Sequence, residues 1–458
     1  MSDLTEIQTV QNAFSLLRLE GQHLLLINEE IDNLISGDGS CPLTYLKKED
    51  AQISFRRYVE TQALGLDDIE VNKLYKQFMK SPHTKLYTQV AFHPKSQPSE
   101  VLNLYRPPSA KPSEGDSEIL KDFIFEVICN SDNTNYGYLM CYLAHMIQRP
   151  EEKPQVAIIL LGGQGTGKGS LYNLLKAIWG HTARQVHSIK EVLGNFNASA
   201  LERSLLVFLD EAFFHGHKEP MDKFKGLITE PEITIEQKYK PAQVMKSFHR
   251  FFAASNHAHF GNIEKDDRRM FLLRVSDAWK GDHEKFTELH DSFGDGSTVS
   301  AFVYYLSNLD IDDWNPWSDR PRTSELIEQK LKSLEGVDEF LFECLQNAEV
   351  PSSRNRYDSS TPKTWNGELC VGTKDFKKAF VDYNKNAQKY KPVSLSQLHS
   401  ECIKRIPSAY RKQFREHSSS PKIRGIIFPS IHQSREEFEE SIGGKGQIDW
   451  EDVPDDRV

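Results

Sequence analysis

The sequence is poor in the features that staple small secreted folds or hold a chain in lipid. It has six cysteines in 458 residues, Cys41, Cys129, Cys141, Cys344, Cys370 and Cys402, and none belongs to a C-x-x-C pair. That scatter argues against a disulfide framework and a zinc finger, and it suits a reducing compartment. Long apolar runs are missing too. The longest, Val156 to Leu161, falls far short of the roughly 20 residues that cross a bilayer. The N-terminus MSDLTEIQ lacks the basic and apolar stretches of a secretory leader, so a cytoplasmic protein without membrane contact is expected. A basic excess is also absent, with 56 Lys and Arg against 66 Asp and Glu and a net charge of -10. Net charge describes the average surface, however, and a groove or ring can still be locally basic. There is no internal repeat. His215 and His217, and likewise His257 and His259, have no partners at zinc spacing, so no metal is assigned to them.

The length itself predicts two or three domains. Residues 1–110 form an N-terminal region of unknown role, with helical patterns over Leu4–Leu26 and Leu66–Met79, closed by the linker-like NLYRPPSAKPSEGD. Residues 111–150 form a helical collar, in which Leu120, Phe123, Ile124 and Val127, then Leu139, Tyr142, Leu143 and Met146, mark two amphipathic helices broken at NSDNTN. Over 151–324 the strand-like runs VAIILL, LLVFL, FFAAS and MFLLRV alternate with helices, which predicts an α/β domain with a largely parallel sheet. Residues 325–435 read as a further helical unit, and 436–458 as an acidic, disordered tail around Trp450.

The chemistry begins at LLGGQGTGKGSL. Gly162, Gly163, Gln164, Gly165, Thr166, Gly167 and Lys168 follow a strand and open a helix marked by Leu171, Leu174, Leu175 and Ile178. In that setting the loop amides and the positive helix end converge on phosphate oxygens, and the Lys168 ammonium reaches the terminal phosphates. Gly169 stands where the usual pattern has a hydroxyl, and Ser170 lies one residue on, about 100° around the axis, so it is not a simple substitute. Forty-two residues after Lys168, the strand LLVFL ends in Asp210, expected to hold Mg2+ through water, and Glu211, expected to polarise the attacking water. FFAAS ends in Asn256, which suits either a water-orienting sensor or a strand-end cap.

GGQGTGKGS, FLDEAFF, LITEPEITIEQK, AASN and DDRRMFLL together resemble the superfamily 3 helicases, AAA+ P-loop ATPases, and within them the helicase half of phage and plasmid primase-helicases related to the poxvirus type. The likeness runs from about Ile119 to Val275, with a weaker echo to about residue 435. It implies an AAA+-like core, ATP and Mg2+ as cofactors, and an active site in which the G-K-G-[ST] variant is familiar. It also implies an arginine finger acting across a subunit seam, Arg268 first and Arg269 second, against the plainer reading of a surface pair bound to Asp266 and Asp267. Lys225 matches a lysine of the family pattern. No primase motifs are recognisable, so priming is absent or supplied by a separate primase or replication initiator.

Ile233 and Ile235, the turn KYKPA, then Val244 and Phe248 predict a β-hairpin with Lys238, Tyr239 and Lys240 near its tip. The resemblance places Lys238 and Lys240 on the phosphates of single-stranded DNA, with Tyr239 available for stacking. From Lys363 to Arg424 fourteen Lys and Arg face five Asp and Glu, which reverses the sign of the whole chain. Helices over TKDFKKAFVDYNKNA and SLSQLHSECIKRI and a strand at RGIIFPS resemble a winged-helix module, whose basic residues would meet DNA. The combined expectation is a hexameric replicative DNA helicase of a phage or mobile element, acting on single-stranded and forked DNA. The alternatives are an origin-binding or scaffold ATPase and a defence-type ATPase.

Overall fold

The computed structural model describes residues 5–19, 21–36, 43–211, 218–236, 242–257, 260–261, 267–294, 296–351, 362–365, 367–386, 393–415 and 418–450. The chain divides into two compact units, one of residues up to 213 with 219–258 and 273–321, the other of 214–218, 259–272 and 322–458.

The first unit opens with the helix Glu6–Ala13, started by a reciprocal capping box between Thr5 and Gln8. The chain then turns extended. Phe14–Leu19 and Gln22–Ile27 pair antiparallel, with Leu19 opposite Gln22 and Gly21 at φ +79° between them. The helix expected over Leu4–Leu26 is therefore corrected: the leucine run is interrupted by a glycine suited to the left-handed turn of a hairpin. Leu86–Tyr87 completes a three-stranded sheet. Helices Lys48–Thr61 and Asp68–Lys80 bury Phe55, Val59, Leu74 and Phe78 against Phe14, Leu16 and Leu25 of that sheet, so the N-terminal region is mixed and not mostly helical.

The segment read as a linker is also bound. Tyr105 and Arg106 are buried, and the Ser109 and Ala110 N–H groups both donate to Ile178 O, at 2.8 and 3.2 Å. Next come Glu118–Asp122, a π-helical turn over Phe123–Ile128, and the helix Asn133–Gln148, capped by Asp132. Asn130 and Ser131 at the break both take positive φ.

Five strands form the central sheet: β1 (Ala157–Leu161), β2 (Ala183–Val186), β3 (Leu206–Leu209), β4 (Arg250–Ser255) and β5 (Met270–Arg274), in the order β5-β1-β4-β3-β2. β4 runs parallel to both β1 and β3, and β2 runs parallel to β3. Every residue of β1, β3 and β4 is buried, which is why the runs are almost wholly apolar rather than alternating. The one charged residue among them is Arg250. It is fully buried and donates to the carbonyls of Pro150 (2.8 Å), Arg149 (3.0 Å) and Glu152 (2.6 Å), fixing the turn that feeds β1. Helices α1 (Lys168–Trp179), α2 (Lys218–Thr229), α3 (His283–Gly294) and α4 (Ser297–Asn308) belong to this region, and α1 buries Leu171, Leu174, Leu175 and Ile178 as its periodicity predicts.

The second unit contains α5 (Val337–Gln346), β6 (Leu369–Gly372), α6 (Thr373–Asn386), α7 (Leu395–Arg405), β7 (Tyr410–Phe414), β8 (Ile423–Phe428) and α8 (Ile431–Ile442). Its antiparallel sheet has the order β6-β8-β7 around a core holding Phe340, Phe376, Trp365, Phe428 and Phe438. The disordered tail expected from residue 436 is corrected as far as 450. α8 continues to Ile442, and Trp450 packs on Phe342 and Phe438, donates Nε1–H to Glu439 Oε1 at 2.6 Å and lies under the Arg435 guanidinium at 5.0 Å. Residues 451–458 lie outside the described residues.

Candidate functional site

The glycine loop leaves β1 with Gly162 N–H donating to Ser255 O of β4 at 3.2 Å, while Val275 N–H returns to Leu161 O at 2.8 Å. Gly165 and Gly167 take φ of +77° and +98°. At Gly167 conformation and space both require glycine, because a Cβ would lie 3.1 Å from Phe123 Cε2 and 3.3 Å from Val127 Cγ1. The π-helical turn thus forms the floor of the loop. Thr166 is buried and donates Oγ1–H to Gly163 O at 3.0 Å. The Lys168 ammonium donates to Gly162 O at 2.7 Å and Gly163 O at 2.5 Å. Burial holds its pKa below the ordinary lysine value, while Asp210 and Asp277 pull the other way. Gly163, Gln164, Gly165 and Gly169 are exposed.

Ser170 has a separate partner. Its Oγ lies 2.9 Å from His290 Nε2 on α3, and the residue is buried. A Cβ at Gly169 would meet open space, so steric crowding does not account for the missing hydroxyl there.

Asp210 and Glu211 follow β3. Asp210 N–H donates to Val186 O at 2.8 Å, its Oδ2 accepts from Gln185 Nε2 at 2.9 Å, and His187 Nδ1 lies 3.9 Å from the same oxygen. Glu211 is exposed at φ +56°, a left-handed conformation that a glutamate adopts at a cost of about 1 kcal/mol or more. Asn256, exposed, follows β4. Because β4 lies between β1 and β3 and parallel to both, the glycine loop, Asn256 and the Asp210–Glu211 pair come together at one edge of the sheet. The carboxyl end of parallel strands is where α/β folds hold ligands.

Arg268 and Arg269 directly precede β5. Arg268 is exposed, Arg269 is half-buried, and Asp267 Oδ1 accepts the Arg269 backbone N–H at 2.8 Å. Lys225 is a buried residue of α2, with its ammonium 3.8 Å from Asp222 Oδ1. The strands Glu232–Ile235 and Gln243–Lys246 pair antiparallel as a hairpin, with Val244 opposite Thr234. Its expected tip, Lys238, Tyr239 and Lys240, lies outside the described residues.

Two groups escaped the motif-based reading. Lys280 Nζ sits 3.5 Å from where a Gly163 Cβ would stand and 3.5 Å from Asp277 Oδ1, six residues beyond β5. His290 holds the first turn of α1 through Ser170. Neither stands in a spaced motif; both are brought to the loop by tertiary packing.

Comparison with known proteins gives a consistent picture. A family of unknown function, DUF5906, matches residues 160–269, from the end of β1 to the start of β5. The chain is 27% identical over 219 residues to a protein named DNA primase-polymerase from Nitratiruptor phage NrS-1, a match covering 46% of this chain and 30% of that relative. The matching stretch is therefore less than a third of the relative's length. Among solved structures, the apo C-terminal region of NrS-1 superposes with a TM-score of 0.62 at 16% identity, covering 92% of this chain and 97% of the other. A further apo structure of that region gives 0.61 at 18%. The fold is thus shared with the C-terminal region of NrS-1 through almost all of this chain, in both units. No helix among the described residues is long and apolar enough to cross a membrane.

Proposed function

We propose that the chain is the motor of a phage replication protein: a P-loop ATPase of the AAA+ type that assembles as a ring, runs on single-stranded DNA and unwinds forked duplex. One observation carries this reading: the glycine loop, Asn256 and the Asp210–Glu211 pair share the edge of a sheet in which β4 separates the other two strands. The similarity to a phage primase-polymerase favours a place in DNA replication.

The residues present fit a triphosphate with its metal. Lys168 and the loop amides would bind the phosphates, and Lys280 stands close enough to the loop to add a second cation. Asp210, oriented by Gln185, would hold Mg2+ through water, without the hydroxyl that the usual pattern places at position 169. The metal, when bound, neutralises charge on the phosphates. Glu211 takes the proton of the attacking water, Asn256 orients that water, and Arg268, or Arg269 as second choice, reaches the neighbouring subunit's phosphates. Lys238 and Lys240 grip the strand, and the winged-helix-like second unit adds a second contact with DNA.

ATP turnover stimulated by single-stranded DNA and abolished by Lys168→Ala tests this reading. The basic stretch Lys363–Arg424 also suits a scaffold ATPase in which nucleotide drives assembly only. Turnover indifferent to DNA would favour that reading.

A further inference from the structure

In the second unit, a cleft of about 480 Å³ opens where the first turns of α6 and α7 meet the strands β7 and β8. Thr373 begins α6, and Leu395 and Ser396 begin α7, so two helix N-termini contribute positive potential to one space. Arg411, Lys412 and Arg424 line it as well; Gln413 pairs with Arg424 across the ladder, which places Arg411, Gln413 and Arg424 on the same face. Arg411 also donates to Ser396 O at 3.2 Å, tying β7 to the start of α7. The last wall is His399. It is 5% exposed, lines the cleft, and its Nε2 finds no hydrogen-bond partner among the described residues.

A buried imidazole nitrogen without a partner is costly, and such groups call for a ligand or water. Here the lining favours an anion, because its other ionisable groups, Arg411, Lys412 and Arg424, are cationic. A tetrahedral oxyanion would satisfy the two guanidinium groups, the helix ends and His399 together. The charge also continues past the cleft. Arg411 and Arg415, two residues beyond Gln413 on the same alternation, are both exposed. Charge that continues past the cleft fits a chain of phosphates better than a lone ion.

We propose that this cleft seats one phosphodiester group of a nucleic-acid strand, with Arg411, Arg424 and His399 as its ligands and the rest of β7 tracking the adjoining backbone. The proposal rests on the reading that the chain acts on DNA, but not on ATP turnover.

The test is binding of a fluorescein-labelled single-stranded oligonucleotide to the full chain, followed by anisotropy across a salt series without nucleotide. Arg411→Ala with Arg424→Ala is expected to weaken binding about tenfold or more at low salt and to lower the salt-dependence slope by about 1 to 2, as loss of one or two phosphate contacts requires. Lys404→Ala, an exposed cation in the last turn of α7, at the far end of that helix from the cleft, is expected to leave the slope in place. An unchanged slope in the double variant, with its melting temperature retained, overturns the proposal. Inorganic phosphate is titrated at matched ionic strength. Displacement of the oligonucleotide no greater than by chloride supports a backbone site, whereas saturable phosphate binding with an unaltered oligonucleotide slope marks a free-phosphate site and overturns it. Lys168→Ala is run alongside: failure of the wild-type chain to hydrolyse ATP removes the motor reading while leaving the cleft result standing.

Discussion

At the scale of single residues, the loop distinguishes its glycines sharply. Gly167 combines φ +98° with Phe123 at 3.1 Å from a would-be Cβ, so Gly167→Ala is expected to cost about 2 kcal/mol or more and to abolish nucleotide binding. Gly169 lies in the helix with open space beside it, and Gly169→Ser is expected to raise stability by a few tenths of a kcal/mol. Urea unfolding of the two variants side by side checks the contrast. Lys280→Ala is expected to raise the Kd for ATP about tenfold, measured with a fluorescent analogue; an unchanged Kd would remove Lys280 from the site. A buried histidine sets a pH dependence. Burial, with Lys153 and Arg250 beside it, pushes His249 down to about 4, although its hydrogen bond to Leu201 O opposes the shift. The folded state therefore holds His249 neutral where the unfolded chain protonates. That contribution is complete above about pH 6.5 and is lost as the pH falls from there towards 4, on the order of 3 kcal/mol in all. Melting temperature against pH should fall across this window, and His249→Gln should flatten the fall.

At the scale of elements, the end of the chain offers the clearest prediction. Trp450 bridges Phe342, Phe438, Glu439 and Arg435, so Trp450→Ala should destabilise the second unit by about 2 kcal/mol in urea and free the segment after α8 to proteolysis. The same segment marks a limit of legibility. QIDWED reads as disordered because its acids dominate any local window, and only the packed unit supplies the ring and the guanidinium that hold the tryptophan. The run from Leu4 to Leu26 misled for a related reason: leucines fit helices, but Gly21 and pairing with Leu86–Tyr87 decide for strands. By contrast β1, β3, β4, β5 and α1 were legible, since buried strands need apolar runs and α1 needs its spaced leucines. Asp210 and Asn256 could be named from strand ends, but their meeting at one edge depends on β4 lying between β1 and β3, a crossover that periodicity does not encode. Gln185, Lys280 and His290 were beyond reach, because their roles come from contacts made across 25 residues or more.

At the scale of the whole molecule, the net charge of -10 conceals the basic stretch Lys363–Arg424, and the motor reading needs both a ring and a strand of DNA to couple them. Such a ring should assemble on nucleotide and single-stranded DNA, which light scattering or mass photometry reads as a shift from one copy towards six. Unwinding of a forked duplex tests the central claim most directly, with ATP and magnesium supplied and Lys168→Ala in parallel. Strand separation that requires ATP and vanishes in the variant is the predicted result. A well-folded wild-type chain that binds the fork, hydrolyses no ATP and leaves the strands paired would contradict the account.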